Sequence, residues 1–242
     1  MGTLYIVGTP IGNLEDITLR AIRILSSVDF IMAEDTRSAR TLLSHHGILT
    51  PVTSFHEFTR TGKLLRLIQR LEEGEDGALI SEAGMPCISD PGYPLVREAL
   101  AVGCDVTPVP GPSAVLTALV VSGLPTNAFH FVGFLPRRVT ERRKRLEELS
   151  RQPDTLVCFE APHRLLRTLH DLAATFGTER PMAVARELTK RYEEVVRGTV
   201  GEAIARFEAQ RPRGEFTLVV AGAPLNPKEP IMESFKPNTG QA

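Results

Sequence analysis

Glycine-rich and ionisable strings recur along this sequence where an apolar run gives way to a helical pattern, and any chemistry would begin there. Gly8-Thr9-Pro10-Ile11-Gly12-Asn13 follows the first such run. Glycines in a strand-to-helix turn let a ligand approach the backbone closely. The string is not the dinucleotide fingerprint, because proline stands at position 10, and it lacks the Gly-Lys-Ser/Thr ending of a phosphate loop. A tight turn without a ligand would use the same residues. Ser81 to Gly92 contains two glycines and two prolines and spans about ten residues before the next helix, against about 4–6 for a typical connection. A long ordered loop on the carboxyl end of a strand is a binding-loop candidate. Pro110-Gly111-Pro112-Ser113-Ala114 is a third loop of this kind, with Ser113 either capping a helix or donating to a ligand.

Ionisable groups form the second set. Glu34-Asp35-Thr36-Arg37 closes a strand and opens a helix, so Asp35 is a natural N-cap, and Glu34, Arg37 and Arg40 complete a charged rim. Phe159-Glu160-Ala161-Pro162-His163-Arg164 repeats the arrangement, with Pro162 suited to a first helical turn. His163 fits a base or ligand role, or a hydrogen-bonded structural one. Arg186 to Glu194 is dense in charge; a Lys or Glu there could accept a proton if its environment tuned it toward neutrality, and a solvated edge is the plainer reading. Phe134-Leu135-Pro136-Arg137-Arg138 leads into Arg142-Arg143-Lys144-Arg145, whose positions surround a helix rather than form a salt-bridged stripe. Such density suits neutralisation of a phosphate backbone, or a merely solvated helix.

The elements that must hold these strings alternate. Strand-like runs fall at 3–7, 29–33, 77–81, 105–109, 128–133, 154–159, 182–186 and 215–221, and helical periodicity at 16–26, 61–73 and 162–176. This order predicts an α/β fold with mainly parallel strands. After about residue 190 the pattern turns strand-like again, which predicts a second sheet with antiparallel members. Prolines and glycines at 109–113 and 122–126 bracket a domain boundary, giving domains at 1–121 and 122–224 and a loose tail at 225–242.

Net charge is −1, but residues 1–120 carry 9 basic and 14 acidic residues and residues 121–242 carry 19 and 15. Seven of the latter basics lie within 137–151, against three acidic residues. With 42% hydrophobic and 24% charged residues the chain is no disordered polyelectrolyte. Cys87, Cys104 and Cys158 are far apart and share no ligand spacing, so neither a disulfide framework nor a metal site is expected. The opening residues show no secretory leader pattern, and no apolar run reaches 18 residues. A soluble, cytoplasmic protein is expected.

Seven strings occur in order: GTPIGN at 8–13, AEDTR at 33–37, SEAGMPCISDPG at 81–92, PGPSA at 110–114, GFLPR at 133–137, EAPHR at 160–164 and RELTK at 186–190. Together they closely resemble the small-subunit ribosomal RNA methyltransferase I family, part of the tetrapyrrole methylase superfamily of S-adenosylmethionine-dependent enzymes. The resemblance spans about residues 3 to 222. It implies two α/β domains with a donor-binding cleft between them, a homodimer, and 2′-O-methylation of the ribose of a cytidine in small-subunit ribosomal RNA, free or in the assembled subunit. It implies S-adenosylmethionine contacts from Gly8, Thr9, Pro10, Gly12, Glu82, Ala83, Gly84, Met85, Ile88, Ser113, Ala114 and Phe159. Glu82 stands where relatives usually have Asp, Ala161 where they have Ser, and Arg138 where they often have Lys. Transfer to a hydroxyl needs alignment and help with one proton. Lys190 and Glu160 are the candidates for base or cation, with Arg37, His163, Arg186 and Glu187 orienting. Arg137, Arg138, Arg142, Arg143, Lys144 and Arg145 would meet the RNA. Competing readings are methylation of a corrin or porphyrin precursor and a non-catalytic ribosome-assembly factor that binds RNA.

Overall fold

The computed structural model describes residues 1–56 and 59–224, and the tail expected at 225–242 lies outside them. The chain divides into two compact units between Ser113 and Ala114. The boundary therefore falls eight residues before the one expected at 121.

In the first unit, β1 (Thr3–Val7), α1 (Leu19–Ser27), β2 (Phe30–Ala33), α2 (Thr36–His45), β3 (Val52–Ser54), α3 (Thr61–Glu72), β4 (Gly77–Ile80), α4 (Tyr93–Ala101) and β5 (Asp105–Val109) alternate along the chain. The strands pair in the order β3-β2-β4-β1-β5, and every pairing is parallel. A parallel sheet covered on both faces leaves its central strands wholly buried, as β2 and β4 are. Side chains alternate between two cores. Phe30, Met32 and Leu79 join Leu67, Leu71 and Leu95 of α3 and α4 on one face; Ile31, Ala33, Ala78 and Ile80 join Ala21, Leu25, Ala39 and Leu43 of α1 and α2 on the other. Pro108 is accommodated because β5 is an edge strand. β3 was not anticipated: three half-buried residues at the opposite edge carry too little pattern to read.

The second unit holds α5 (Ala114–Val121), β6 (Phe129–Phe134), α6 (Val139–Leu149), β7 (Thr155–Glu160), α7 (Leu165–Phe176), β8 (Pro181–Arg186), β9 (Glu194–Thr199), α8 (Val200–Ala209) and β10 (Phe216–Val220). Its sheet runs β6-β7-β10-β8-β9, parallel between β6 and β7 and antiparallel elsewhere, as the change of pattern after residue 190 implied. Leu146, Leu165, Leu169 and Leu172 of α6 and α7 and Val200 and Phe207 of α8 pack with Leu156, Cys158, Val184 and Leu218 on one face. Val157, Val219 and Ala183, also buried, alternate to the other face. α5, which the expected boundary assigned to the N-terminal half, packs against β7 and β10 of this unit. Thr199 caps α8 reciprocally with Glu202.

Candidate functional site

Three loops of the first unit converge at the carboxyl ends of β1, β4 and β5. Thr9 and Gly84 exchange backbone hydrogen bonds, Thr9 N–H to the Gly84 carbonyl at 2.9 Å and Gly84 N–H to the Thr9 carbonyl at 3.1 Å. The buried Thr9 hydroxyl donates to the Ser81 carbonyl at 3.2 Å, and the Ser81 hydroxyl donates to the Gly84 carbonyl at 3.2 Å. Gly8 donates to the Val109 carbonyl at 3.0 Å. A Cβ on Gly8 would lie 2.8 Å from the Gly111 Cα and 2.7 Å from the Met85 sulfur, and one on Gly111 would lie 2.8 Å from Gly8 backbone. Only glycine permits that approach. Of the residues that the resemblance assigned to the donor, Gly8, Thr9, Gly84 and Met85 are thus brought together. Glu82, Ala83 and Ile88 are exposed on the same loop, and Gly12 is exposed beyond Ile11. Ser113 and Ala114 fall one on each side of the division between the units.

Asp35 is the N-cap of α2, accepting from the Arg37 N–H at 2.7 Å and from the Ser38 hydroxyl at 3.2 Å. The Arg37 N–H and that hydroxyl outweigh its desolvation and hold its carboxyl below the ordinary aspartate range. Arg37 and Arg40 extend into solvent. Beside them lies a feature that was not read from the sequence, a cavity of about 530 Å³. Phe55, Leu64, Pro91 and Pro94 supply its apolar lining, and Glu34, His56, Thr59, Ser89 and Asp90 the polar one, with Tyr93 two-thirds exposed at its edge. Burial, then Glu34 and Glu82, push the Asp90 carboxyl up to about 6, with the Ser81 hydroxyl pulling weakly the other way. Burial also raises the Cys87 thiol, as does Asp90. Asp90 stood inside the SEAGMPCISDPG string, but nothing in the string reveals that Glu34, 56 positions earlier, shares its surroundings.

In the second unit the candidates are more firmly tied than expected. Glu160 is 2% exposed. One of its oxygens accepts from the Thr168 hydroxyl at 2.5 Å, the other from the Ala161 N–H at 2.8 Å, with the Arg164 guanidinium 3.2 Å away. That guanidinium in turn donates to the Leu135 carbonyl at 2.7 Å and the Pro136 carbonyl at 3.3 Å. Glu160 therefore anchors the 133–137 loop through Arg164, and both oxygens that a base would need are occupied. His163 is exposed. Phe159 packs edge-on against Phe131 at 5.0 Å and against Phe134 at 5.5 Å.

Lys190 lies 3.2 Å from the Glu187 carboxylate and 3.0 Å from that of Glu215. Burial alone would lower its ammonium, but Glu215 and Glu187 prevail and raise it. Glu187 is desolvated too, yet the Glu215 N–H and Lys190 hold it below the usual range. Lys190 is consequently a stable cation rather than a base near neutrality. Arg186 donates to the Arg213 carbonyl at 2.7 Å and pairs with Glu194 at 3.5 Å. The Thr189 hydroxyl is buried without a hydrogen-bond partner. Among the described residues four non-glycines have positive φ: Cys87, Ser89, Glu187 and Thr189. All four sit in the 81–92 and 186–190 loops, and strain of this kind persists where the surroundings over-determine it.

The basic segment is paired with acidic partners, contrary to the expectation of an unbridged helix. Arg142 is 3% exposed, and its guanidinium meets the equally buried Asp171 carboxylate at 2.6 Å; Arg143 pairs with the other oxygen at 2.7 Å. Arg145 pairs with Glu148 at 3.0 Å and Arg138 with Glu141 at 3.2 Å. The helix is salt-bridged after all, and Arg142 is turned inward to hold α6 against α7. Arg137, Arg138, Arg143 and Lys144 are the members left on the surface. Among the described residues no group of three or more His, Cys, Asp or Glu could hold a metal ion. None of the described helices is long and apolar enough to cross a membrane.

Two α/β units, one with a parallel and one with a mixed sheet, and glycine loops converging at the strand ends of the first define a class of ligand-binding α/β proteins. A sequence model described as Tetrapyrrole (Corrin/Porphyrin) Methylases matches residues 3–204. Solved structures agree on the fold: diphthine synthase superposes with a TM-score of 0.70 at 14% identity, covering 91% of this chain and 90% of that one. The uroporphyrin-III-C-methyltransferase of Thermus thermophilus gives 0.62 at 23% identity, covering 91% and 94%. The ribosomal RNA small subunit methyltransferase I of Halalkalibacterium halodurans is 50% identical over 238 residues, which cover 98% of this chain and 82% of that protein. The protein of the same name from Thermotoga maritima is 49% identical over 222 residues, covering 92% and 99%. The chain belongs to the tetrapyrrole methylase family and, within it, to the branch of the ribosomal RNA small subunit methyltransferases I.

Proposed function

We propose that the chain transfers a methyl group from S-adenosylmethionine to the ribose 2′-hydroxyl of a cytidine in small-subunit ribosomal RNA. The observation that supports this most is the convergence of the 8–13, 81–85 and 110–113 loops, closed by the Gly8–Gly111 approach at the strand ends where α/β sheets take ligands. These residues fit the donor. Glycines leave backbone accessible, the exposed Glu82 carboxylate offers an acceptor to a cationic or hydroxyl-bearing ligand, and Met85 and Ile88 offer apolar contact. When bound, the donor supplies an electrophilic methyl on sulfur. The chain must then orient a ribose hydroxyl and ease the loss of its proton.

Lys190, held charged by Glu187 and Glu215, suits stabilisation of the negative charge that develops on the 2′-oxygen, the proton itself passing to solvent. Glu160, through Arg164, positions the 133–137 loop, and the surface cations Arg137, Arg138, Arg143 and Lys144 suit RNA phosphates. Relatives near 50% identity that carry a ribosomal RNA name favour this reading over a corrin or porphyrin substrate. A homodimer and a cytoplasmic location belong to the same proposal; sedimentation of the purified protein checks the former.

The test is to incubate purified protein with S-adenosylmethionine labelled in the methyl group and small ribosomal subunits lacking the modification, then map 2′-O-methyl groups. One new cytidine modification is expected, and Lys190→Met should lower kcat about a hundredfold with donor affinity unchanged. Absence of any transfer to subunits or to their naked RNA would sink the proposal.

A further inference from the structure

The cavity between the ends of β2 and β3 and the 87–94 segment has no part in the mechanism just given. At about 530 Å³ it is in the size range of small-ligand pockets, and it combines apolar walls with a few polar groups. Its charge restricts what could enter. Glu34 and Asp90 line it, and Glu82 stands close enough to act on Asp90. A phosphate would be repelled by that set. A metal ion is not favoured either, since no group among the described residues could hold one. What remains is a flat or apolar ligand that presents hydrogen-bond donors.

A nucleotide base taken out of its stack is such a ligand. Enzymes that modify nucleotides receive the extruded base in a pocket, stack it on aromatic or apolar side chains and read its hydrogen-bonding edge. Phe55, Pro91, Pro94 and Tyr93 offer the contact surface here. Carboxylates accept from the exocyclic amino group of cytosine, whereas uracil presents a carbonyl oxygen at the same position and would be repelled.

We propose that this cavity receives the base of the target nucleotide, with Asp90 and Glu34 accepting hydrogen bonds from the 4-amino group of a cytosine. The proposal rests on the RNA-methylation reading above and adds to it the residues that select the base. Asp90 suits the role further, because a carboxyl that titrates near 6 is partly protonated close to neutrality. In its acid form it could donate to cytosine N3 while its other oxygen accepts from the amino group. The location agrees with function, since the 81–92 loop contributes Ser81 and Gly84 to the convergent loops at one end and Asp90 to the cavity at the other.

The experiment uses full-length protein and small subunits whose methylated position, once mapped, carries either C or U. Wild-type protein is expected to prefer C. Asp90→Val should lower kcat/KM on C roughly 5- to 100-fold, mainly through KM, the range for loss of a good base contact. Asp90→Asn, whose amide can donate to the uracil carbonyl, should narrow the preference by raising transfer to U. Glu34→Gln, at an exposed position that the fold does not need, should narrow it as well. Calorimetric affinity for S-adenosylmethionine should stay unchanged in all three. An unaltered C-to-U ratio in Glu34→Gln and in the folded Asp90 variants overturns the proposal while leaving the methylation reading intact. So does a loss confined to donor affinity. A wild-type protein that methylates neither substrate removes the methylation reading, and this proposal with it.

Discussion

Asp90 shows how one carboxyl can weaken the fold it belongs to. Its neighbours are Glu34 from the end of β2, Glu82 and Cys87 from its own loop, His56 from the segment after β3, and Tyr93 at the start of α4. The folded protein binds the Asp90 proton more tightly than the unfolded chain, about 6 against the ordinary 3.8. Stability must therefore fall as pH rises between those values, and the penalty is complete above the upper one. Asp90→Asn should accordingly raise Tm at pH 7.5, with the gain vanishing below pH 4, as thermal unfolding at the two pH values will measure. A substitution that strengthens the fold while impairing base selection marks a residue kept for function. Little of this was legible beforehand. The loop stood out through its length and its glycines, but the raised carboxyl depends on Glu34, which chain order hides.

The helix α6 teaches the opposite lesson. Its run of basic residues reads as a free cationic surface because a sequence displays only partners three or four positions away, such as Glu141 for Arg138. Asp171, on α7, lies 29 positions from Arg142 and takes two of the arginines. Its carboxyl is desolvated, but hydrogen bonds from Arg143 and Arg142 hold it below the ordinary range, so its contribution is present above that range and lost on acidification. Asp171→Ala should destabilise the protein by about 3–5 kcal/mol, because it leaves the Arg142 charge buried and unpaired. Urea unfolding at pH 7 measures this, and a loss below about 1 kcal/mol would show that the pair does not bind α6 to α7. Glu160 looked like a base for a different reason, since its partners are near in sequence but belong to a turn and a helix start whose side-chain directions the string does not display. Thr168 and Arg164, which engage it, sit on the next turns of chain yet carry no mark of the task.

At the level of the whole molecule, the periodicity carried more than the charges did. Four of the five parallel strands and a second, mixed sheet follow from runs of Val, Ile and Leu alternating with helical spacing, and the short β3 escaped that pattern. The near-neutral total conceals a surface of exposed cations on the second unit. A protein of net charge −1 that binds RNA must do so through such a local patch, and salt reports its size. In filter-binding to a small-subunit RNA fragment, the double substitution Arg143→Gln with Lys144→Gln should reduce the slope of log affinity against log salt by roughly 1.5 to 2. An unchanged slope would place the RNA elsewhere.

Gly8 and Gly111 each occupy the room that a side chain on the other would need. The two positions, far apart in sequence, are therefore each closed to a larger residue by the other's backbone. A change at one cannot be offset by a change at the other, since either substitution drives a Cβ into main chain rather than into a side chain that could turn aside. The ends of β1 and β5 are in this sense locked at a fixed separation, whereas the side chains of the neighbouring lip at 82–83 reach solvent.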